Sequence, residues 1–211
     1  FAMKVITIVV VGLLAMTLSA QAAVVSNDIK DCDAYYNGHG DQWVNIYDNC
    51  TDDVSQQSPV TVDISDNIWK DFVFLTAFTA VTPTSMKIED CVFRVRADNI
   101  GVVTTNDVYA LPKLYKFQAQ YIDFHAPSEH VIKGQRYDLE MQIYHQDIFK
   151  KSKSKQAMVV SVLFNKGAKS DDFFQFLDGK SMLDVSKVLP IDFMMHNKVY
   201  GYLGTATSEG C

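Results

Sequence analysis

The chain lacks an excess of positive charge. Its 19 Lys and Arg stand against 25 Asp and Glu, for a formal net charge of −6. A surface of that sign repels phosphate backbones and anionic headgroups, which excludes nucleic acid as a partner class and argues mildly against sulfated glycans. Internal repeats, low-complexity tracts and interdomain linkers are also missing, so the 211 residues are read as one domain with its own core. Apolar residues at 48% and charged residues at 21% exclude a disordered chain. No apolar run reaches the ~20 residues a membrane span needs. The longest, "VITIVVVGLLAMTL", follows Lys4 and precedes the small-residue stretch "AQA" ending at Ala22. That order reads as a cleavable export leader over residues 1–22, with translation starting at Met3 and residues 23–211 forming the domain. An uncleaved membrane anchor is the competing reading; after cleavage no stable span is left. Lys4 is the only charged residue removed, so the mature chain is slightly more acidic.

Cysteines are few: Cys32, Cys50, Cys91 and Cys211. Export would place them in an oxidising compartment, where four cysteines allow two disulfides in three connectivities. "NCT" at Asn49 to Thr51 is a short glycosylation sequon. Residues 23–60, rich in Gly, Asn, Asp and Ser, read as loop. Strand patterns dominate from Val60 onward. "VFRVRAD", "LYKFQAQYIDFH" and "YDLEMQIYH" alternate, and "AMVVSVLF" is a fully apolar strand candidate. "DNIG", "APSEHVIKGQ" and "FKKSKSK" separate them as turns, the last a solvated hairpin tip. A helix is expected near "SDDFFQFL", with Ser170 capping and Asp171 and Asp172 in the first turn. A second short one covers "GKSMLDVSKVL" and stops at Pro190.

Strand parity gathers a polar group. Side chains alternate across a strand, so Asp123 and His125 share one face, and Glu140 and Gln142 share a face of the next strand. A connection of about a dozen residues suits antiparallel neighbours. Taken alone, one His, two carboxylates and an amide on adjacent strands are a weak signal, because such pairs are usually structural.

"FHAPSEH" at Phe124 to His130 and "LEMQIYH" at Leu139 to His145 resemble the signature of the α-carbonic anhydrases. "YYNGHGDQW", "CTDDVSQQSPV", "VVSVLFNKG" and "GYLGTATSEGC" resemble further segments of that family in the same order, over about residues 30–211. The resemblance implies a mainly β single domain on a large, mostly antiparallel twisted sheet with a few short helices. It also implies a zinc lyase: three strand His residues hold a zinc whose bound water ionises near pH 7 and attacks CO2. A Thr oriented by a buried Glu accepts the hydroxide proton, and a cleft His shuttles protons to buffer.

Carried over residue by residue, the second ligand position is His125, the first is Asp123 and the third is Gln142. Glu129 takes the place of the orienting Glu, Thr207 of the Thr, and Glu140 of the Glu behind the third ligand. Val102 falls at the shuttle position. Tyr144, Val159 and Ala206 line the pocket, and Glu209 and Gly210 replace two prolines. The resemblance pairs Cys50 with Cys211 and leaves Cys32 and Cys91 for a second bridge. His130 and His145 are weighed as substitute ligands and rejected, the first as a buried structural residue and the second on strand parity. His39 and His196 read as surface loop residues.

Two ligand positions therefore depart from His. Gln142 offers zinc a neutral amide oxygen, and Asp123 a hard oxygen. The expectation is a secreted member of this fold with a degenerate zinc site. It would bind no cofactor and hydrate no CO2, and its cleft or an outer face would recognise a partner protein or a glycan. The alternative is a carbonic anhydrase working on an Asp/His/Gln metal site, with zinc as cofactor. Relatives continue beyond the position of Cys211, so the domain is expected to be incomplete at its C-terminus.

Overall fold

The computed structural model describes residues 3–15, 61–62, 74–89, 91–106, 114–148, 156–167, 172–190 and 199–204. Twelve strands occur among them: β1 (Met3–Ala15), β2 (Thr61–Val62), β3 (Phe74–Phe78), β4 (Ser85–Glu89), β5 (Val92–Arg96), β6 (Gly101–Asn106), β7 (Leu114–His125), β8 (Val131–Ile132), β9 (Gln135–Arg136), β10 (Leu139–Asp147), β11 (Gln156–Lys166) and β12 (Val199–Gly204). Nine of them form one sheet in the order β12-β1-β11-β10-β7-β5-β4, with β6 on the other half of β7 and β3 beyond it. Within this sheet, pairing is antiparallel except between β1 and β12. The three short strands β2, β8 and β9 make a separate small sheet. The expected mainly β architecture is what the chain adopts.

All four patterned segments become strands: β5, β7, β10 and β11. One face of the large sheet is apolar. Val95, Ile122, Met141, Ile143, Val160 and Val162 on it have no solvent exposure, and each contributes roughly 1.5–3 kcal/mol by leaving water. The segment Asp172–Asp178 covers this face and drives Phe173 and Phe176 into it, with Phe124 and Phe176 ring centroids 6.1 Å apart. That segment is where a helix was expected, but it winds as a tight 3₁₀ helix. The second expected helix shrinks to the 3₁₀ turn Val185–Lys187, capped by the Asp184 carboxylate, which accepts from the Ser186 N–H.

Residues 3–15, read above as the apolar part of a leader, form β1, antiparallel to β11 and parallel to β12. Cys91 is disulfide-bonded. Cys32, Cys50, Cys211, Asn49, His39, His196, Ala206, Thr207, Glu209, Gly210 and the expected cap Ser170 lie outside the described residues, as do the 23–60 loop and the "KKSKSK" tip.

Candidate functional site

Register builds the site on the face opposite the core. His125 on β7 lies across from Glu140 on β10, Asp123 from Gln142, and Tyr121 from Tyr144. On the other side of β7, β5 sets Arg94 opposite Asp123 and Arg96 opposite Tyr121. β11 adds Ser161 beside Gln142 and Val159 beside Tyr144. Directly opposed residues of antiparallel strands stand on the same face about 5 Å apart. Three rows result: Arg94, Asp123, Gln142 and Ser161; Arg96, Tyr121, Tyr144 and Val159; His125, Glu140 and Leu163. The gathering of Asp123, His125, Glu140 and Gln142 read from strand parity is thus present.

Asp123 is buried against Arg94. The guanidinium donates Nε–H to Oδ1 and Nη2–H to Oδ2, each at 2.7 Å. This is the two-pronged geometry in which an Arg fork matches a carboxylate, and both partners are at most 8% exposed. The hydrogen bonding of Arg94 to Asp123 raises the Arg94 pKa further above its already high ordinary value, against the opposing effect of burial. Arg94 also lies 3.4 Å from Glu89 and sits over the Tyr121 ring at 4.3 Å. Sequence reasoning passed over Arg94. Its signal was there: in "VFRVRAD", Arg94 and Arg96 share the face opposite the apolar Phe93 and Val95.

The remaining polar groups form one buried network. His125 Nδ1 is 2.9 Å from Glu129 Oε1. Gln142 turns its amide nitrogen inward, donating to Glu129 Oε2 at 2.9 Å and to Glu140 Oε1 at 3.0 Å. An ionised carboxylate only accepts, so two of them dictate that the NH2 end faces them and the amide oxygen does not. Glu140 Oε1 is 2.6 Å from His130 Nδ1, and Oε2 accepts the backbone N–H of Glu129 and of His130, both at 2.9 Å. Burial alone would push the Glu140 carboxyl up. The His130 ring beside it, the bond between them, His125 and the backbone donors outweigh that and hold it down at about 2. His125 is likewise buried, which disfavours its charge, yet Glu129 with Glu140 and Asp123 raises its pKa above the ordinary value of 6.5.

Tyr144 stands half-buried on the site face, stacked on Tyr121 with ring centroids 4.8 Å apart and planes within 6°. Val159 packs beside it over Ala157. His130 is the buried structural residue expected. His145 faces the core, where its Nδ1–H donates to the Ile143 carbonyl at 2.8 Å and burial lowers its pKa to about 4. Val102 is not brought to the group. It lies on β6 opposite Gln118, at the other half of β7 and seven residues along that strand from His125.

Comparison with known proteins identifies the family and its fold. A family model described as eukaryotic-type carbonic anhydrase matches residues 38–211. Dioscorin DB3L of Dioscorea polystachya is 32% identical over 107 residues, covering 46% of this chain and 37% of the relative. Alpha carbonic anhydrase 6 of Arabidopsis thaliana is 34% identical over 94 residues, covering 42% and 34%. The chain therefore matches little more than a third of the length of these relatives. Among solved structures, a dioscorin complexed with ascorbate superposes with a TM-score of 0.51 at 23% identity, over 69% of this chain and 61% of that one. The α-carbonic anhydrase of Photobacterium profundum gives 0.50 at 14% identity, over 79% and 83%. With a family model spanning most of its length, and the sheet and register just described, the chain belongs to the eukaryotic-type carbonic anhydrase family.

Proposed function

We propose that this chain is a binding or interaction module on the carbonic anhydrase scaffold, and that its zinc position neither holds zinc nor hydrates CO2. One observation carries the reading: the side chains at two of the three ligand positions are engaged with other buried protein groups. Both Asp123 oxygens accept from Arg94. Gln142 points its N–H groups, which cannot ligate a cation, at Glu129 and Glu140. That leaves a single imidazole, His125, against the three nitrogens the zinc site of the family uses. The residues present do not fit the ion. Glu129, at the position that would orient a Thr hydroxyl, faces His125 and Gln142 with its two oxygens. Tyr144 fills the pocket wall beside them.

The fold stands without a metal because its stability comes from the apolar face and its covering 3₁₀ segment. The occupant of the cleft or outer face is proposed to be a protein or a glycan. Export is part of the reading, supported by the Lys4-led apolar run, "AQA" and the bonded Cys91. Metal analysis of the purified chain together with a CO2 hydration assay tests the proposal. Substoichiometric zinc and no hydration above the uncatalysed rate are expected. One firmly held zinc per chain with sulfonamide-sensitive turnover would make the protein a lyase on an Asp/His/Gln site and end the proposal.

A further inference from the structure

We infer that Arg94 is the built-in counter-cation of this site, standing in for the metal ion and excluding it, so that restoring His at the ligand positions does not by itself restore metal binding. The inference rests on the reading of the site as one that holds no zinc, and goes beyond it by naming the residue responsible.

A metal in such a place does two things: it neutralises what faces it, and it ties strands together. Arg94 does both. Arg94 is 8% exposed, and its guanidinium lies between the Asp123 carboxylate, bonded twice at 2.7 Å, and Glu89 at 3.4 Å. It connects β5 to β7 and β4 directly. Through Tyr121 at 4.3 Å, and the Tyr121–Tyr144 stack at 4.8 Å, it reaches β10. Arg keeps its charge at every physiological pH, which makes it a fixed cation. Asp123 and Arg94 are consequently a matched pair: without Arg94 the buried Asp123 carboxylate loses both guanidinium donors, and without Asp123 the buried guanidinium is left with the longer Glu89 contact at 3.4 Å.

The pairing has a consequence for metal binding. An imidazole at position 123 would meet guanidinium N–H donors across the β5–β7 register. Those donors would take the lone pair a metal needs, and the positive charge would repel a divalent ion brought into the same space. The two ligand replacements and Arg94 thus act together, and the ligand positions are only part of what departs from a zinc-binding site.

The test compares two variants of the full chain, Asp123→His/Gln142→His and the same pair with Arg94→Gln. Zinc dissociation constants are read by competition with a chromophoric chelator, and folding by near-ultraviolet circular dichroism. The triple variant is expected to bind zinc about tenfold more tightly or better. A double variant that fails to fold while the triple folds and binds zinc also supports the inference, because it shows Arg94 to be incompatible with His at 123. Equal zinc affinity in the two overturns it.

A second measurement uses single substitutions in the otherwise unaltered chain. Arg94→Gln releases Asp123 beside His125, so added zinc should raise its thermal midpoint, whereas Arg94→Lys keeps the cation and should stay as insensitive to zinc as the parent. Identical zinc insensitivity of Arg94→Gln and Arg94→Lys counts against the role of Arg94. The two failures are separable. Stoichiometric zinc in the parent chain sinks the proposed function, whereas a zinc-free parent with equal double and triple variants sinks only this inference.

Discussion

At the scale of single residues, Arg94 and Asp123 show how a buried ion pair is costly to halve and cheap to replace whole. Arg94→Met strands the Asp123 carboxylate at 3% exposure, and a loss of about 3–5 kcal/mol is expected in urea unfolding. The paired change Arg94→Met/Asp123→Leu removes both charges and should cost far less; a double variant as unstable as the single one would contradict the account. Gln142 offers a parallel case. Gln142→Leu deletes the two N–H donors that face Glu129 and Glu140, at 2.9 and 3.0 Å. Leaving two buried carboxylates short of a donor should lower stability by roughly 2–4 kcal/mol on the same measurement. Gln142→His returns a ring N–H to that place and should recover part of the loss.

At the scale of elements, β7 does most to position the site, and it is not a regular strand. Its pairing with β10 slips between Tyr144 and His145, so that Tyr121 faces Tyr144 while Ala119 faces His145. The bulge falls at Gln120. Before it, Phe117 and Ala119 are the core residues; after it, Ile122 and Phe124 are. Simple alternation along "LYKFQAQYIDFH" carries parity correctly from Tyr121 to His125, which is why the Asp123 and His125 face was legible in the sequence. It cannot carry parity across the bulge. Nor does anything local in "VFRVRAD" say that β5 is the neighbour of β7. The alternation marked Arg94 and Arg96 as a polar face, but which residues that face joins was not legible, since strand adjacency is a tertiary fact. Val102, at the shuttle position, sits on β6, which pairs with the other half of β7, an adjacency that local sequence does not state either. The entry to β6 is sterically closed. Gly101 has φ +154, and a Cβ there would come within 2.5 Å of the Phe78 ring and 2.6 Å of the Ala77 carbonyl oxygen. Gly101→Ala should cost on the order of 2 kcal/mol or more and weaken the β3–β6 pairing, visible as faster amide exchange in 74–78.

At the scale of the whole molecule, the buried His145 and Glu140 make stability fall as acidity rises, and the buried His125 opposes them. The folded chain holds His145 neutral, with its pKa lowered from 6.5 to about 4. Its unfolded counterpart takes up a proton first, so stability is lost as pH falls through that interval. Glu140, lowered from 4.5 to about 2, adds a loss at lower pH as its unfolded form protonates ahead of the folded one. His125, raised above 6.5, works the other way: its contribution is full below 6.5 and fades as pH rises through its folded value. Each of the two lowered groups is worth on the order of 3 kcal/mol. Chemical unfolding from pH 7 to 4 should show declining stability, with a shallower slope in His145→Leu; an unchanged slope would remove His145 from the explanation. Processing is a second property of the whole chain. Export with cleavage after Ala22 would take away β1 and expose the strand edges of β11 and β12 that pair with it. The intact mass of the exported protein decides between a chain that begins after Ala22 and one that keeps β1.

The sequence by itself determined the sheet-rich class, the four main strands and the shared faces of Asp123 with His125 and of Glu140 with Gln142. Residue chemistry is a local property, and period-two alternation is one along a strand up to a bulge. It also carried the departures from His at positions 123 and 142. Only the tertiary structure decided what those departures do, because ion pairs and amide orientation depend on which strand lies beside which. β5 brings a guanidinium to Asp123, and two carboxylates from a turn and a strand orient the Gln142 amide.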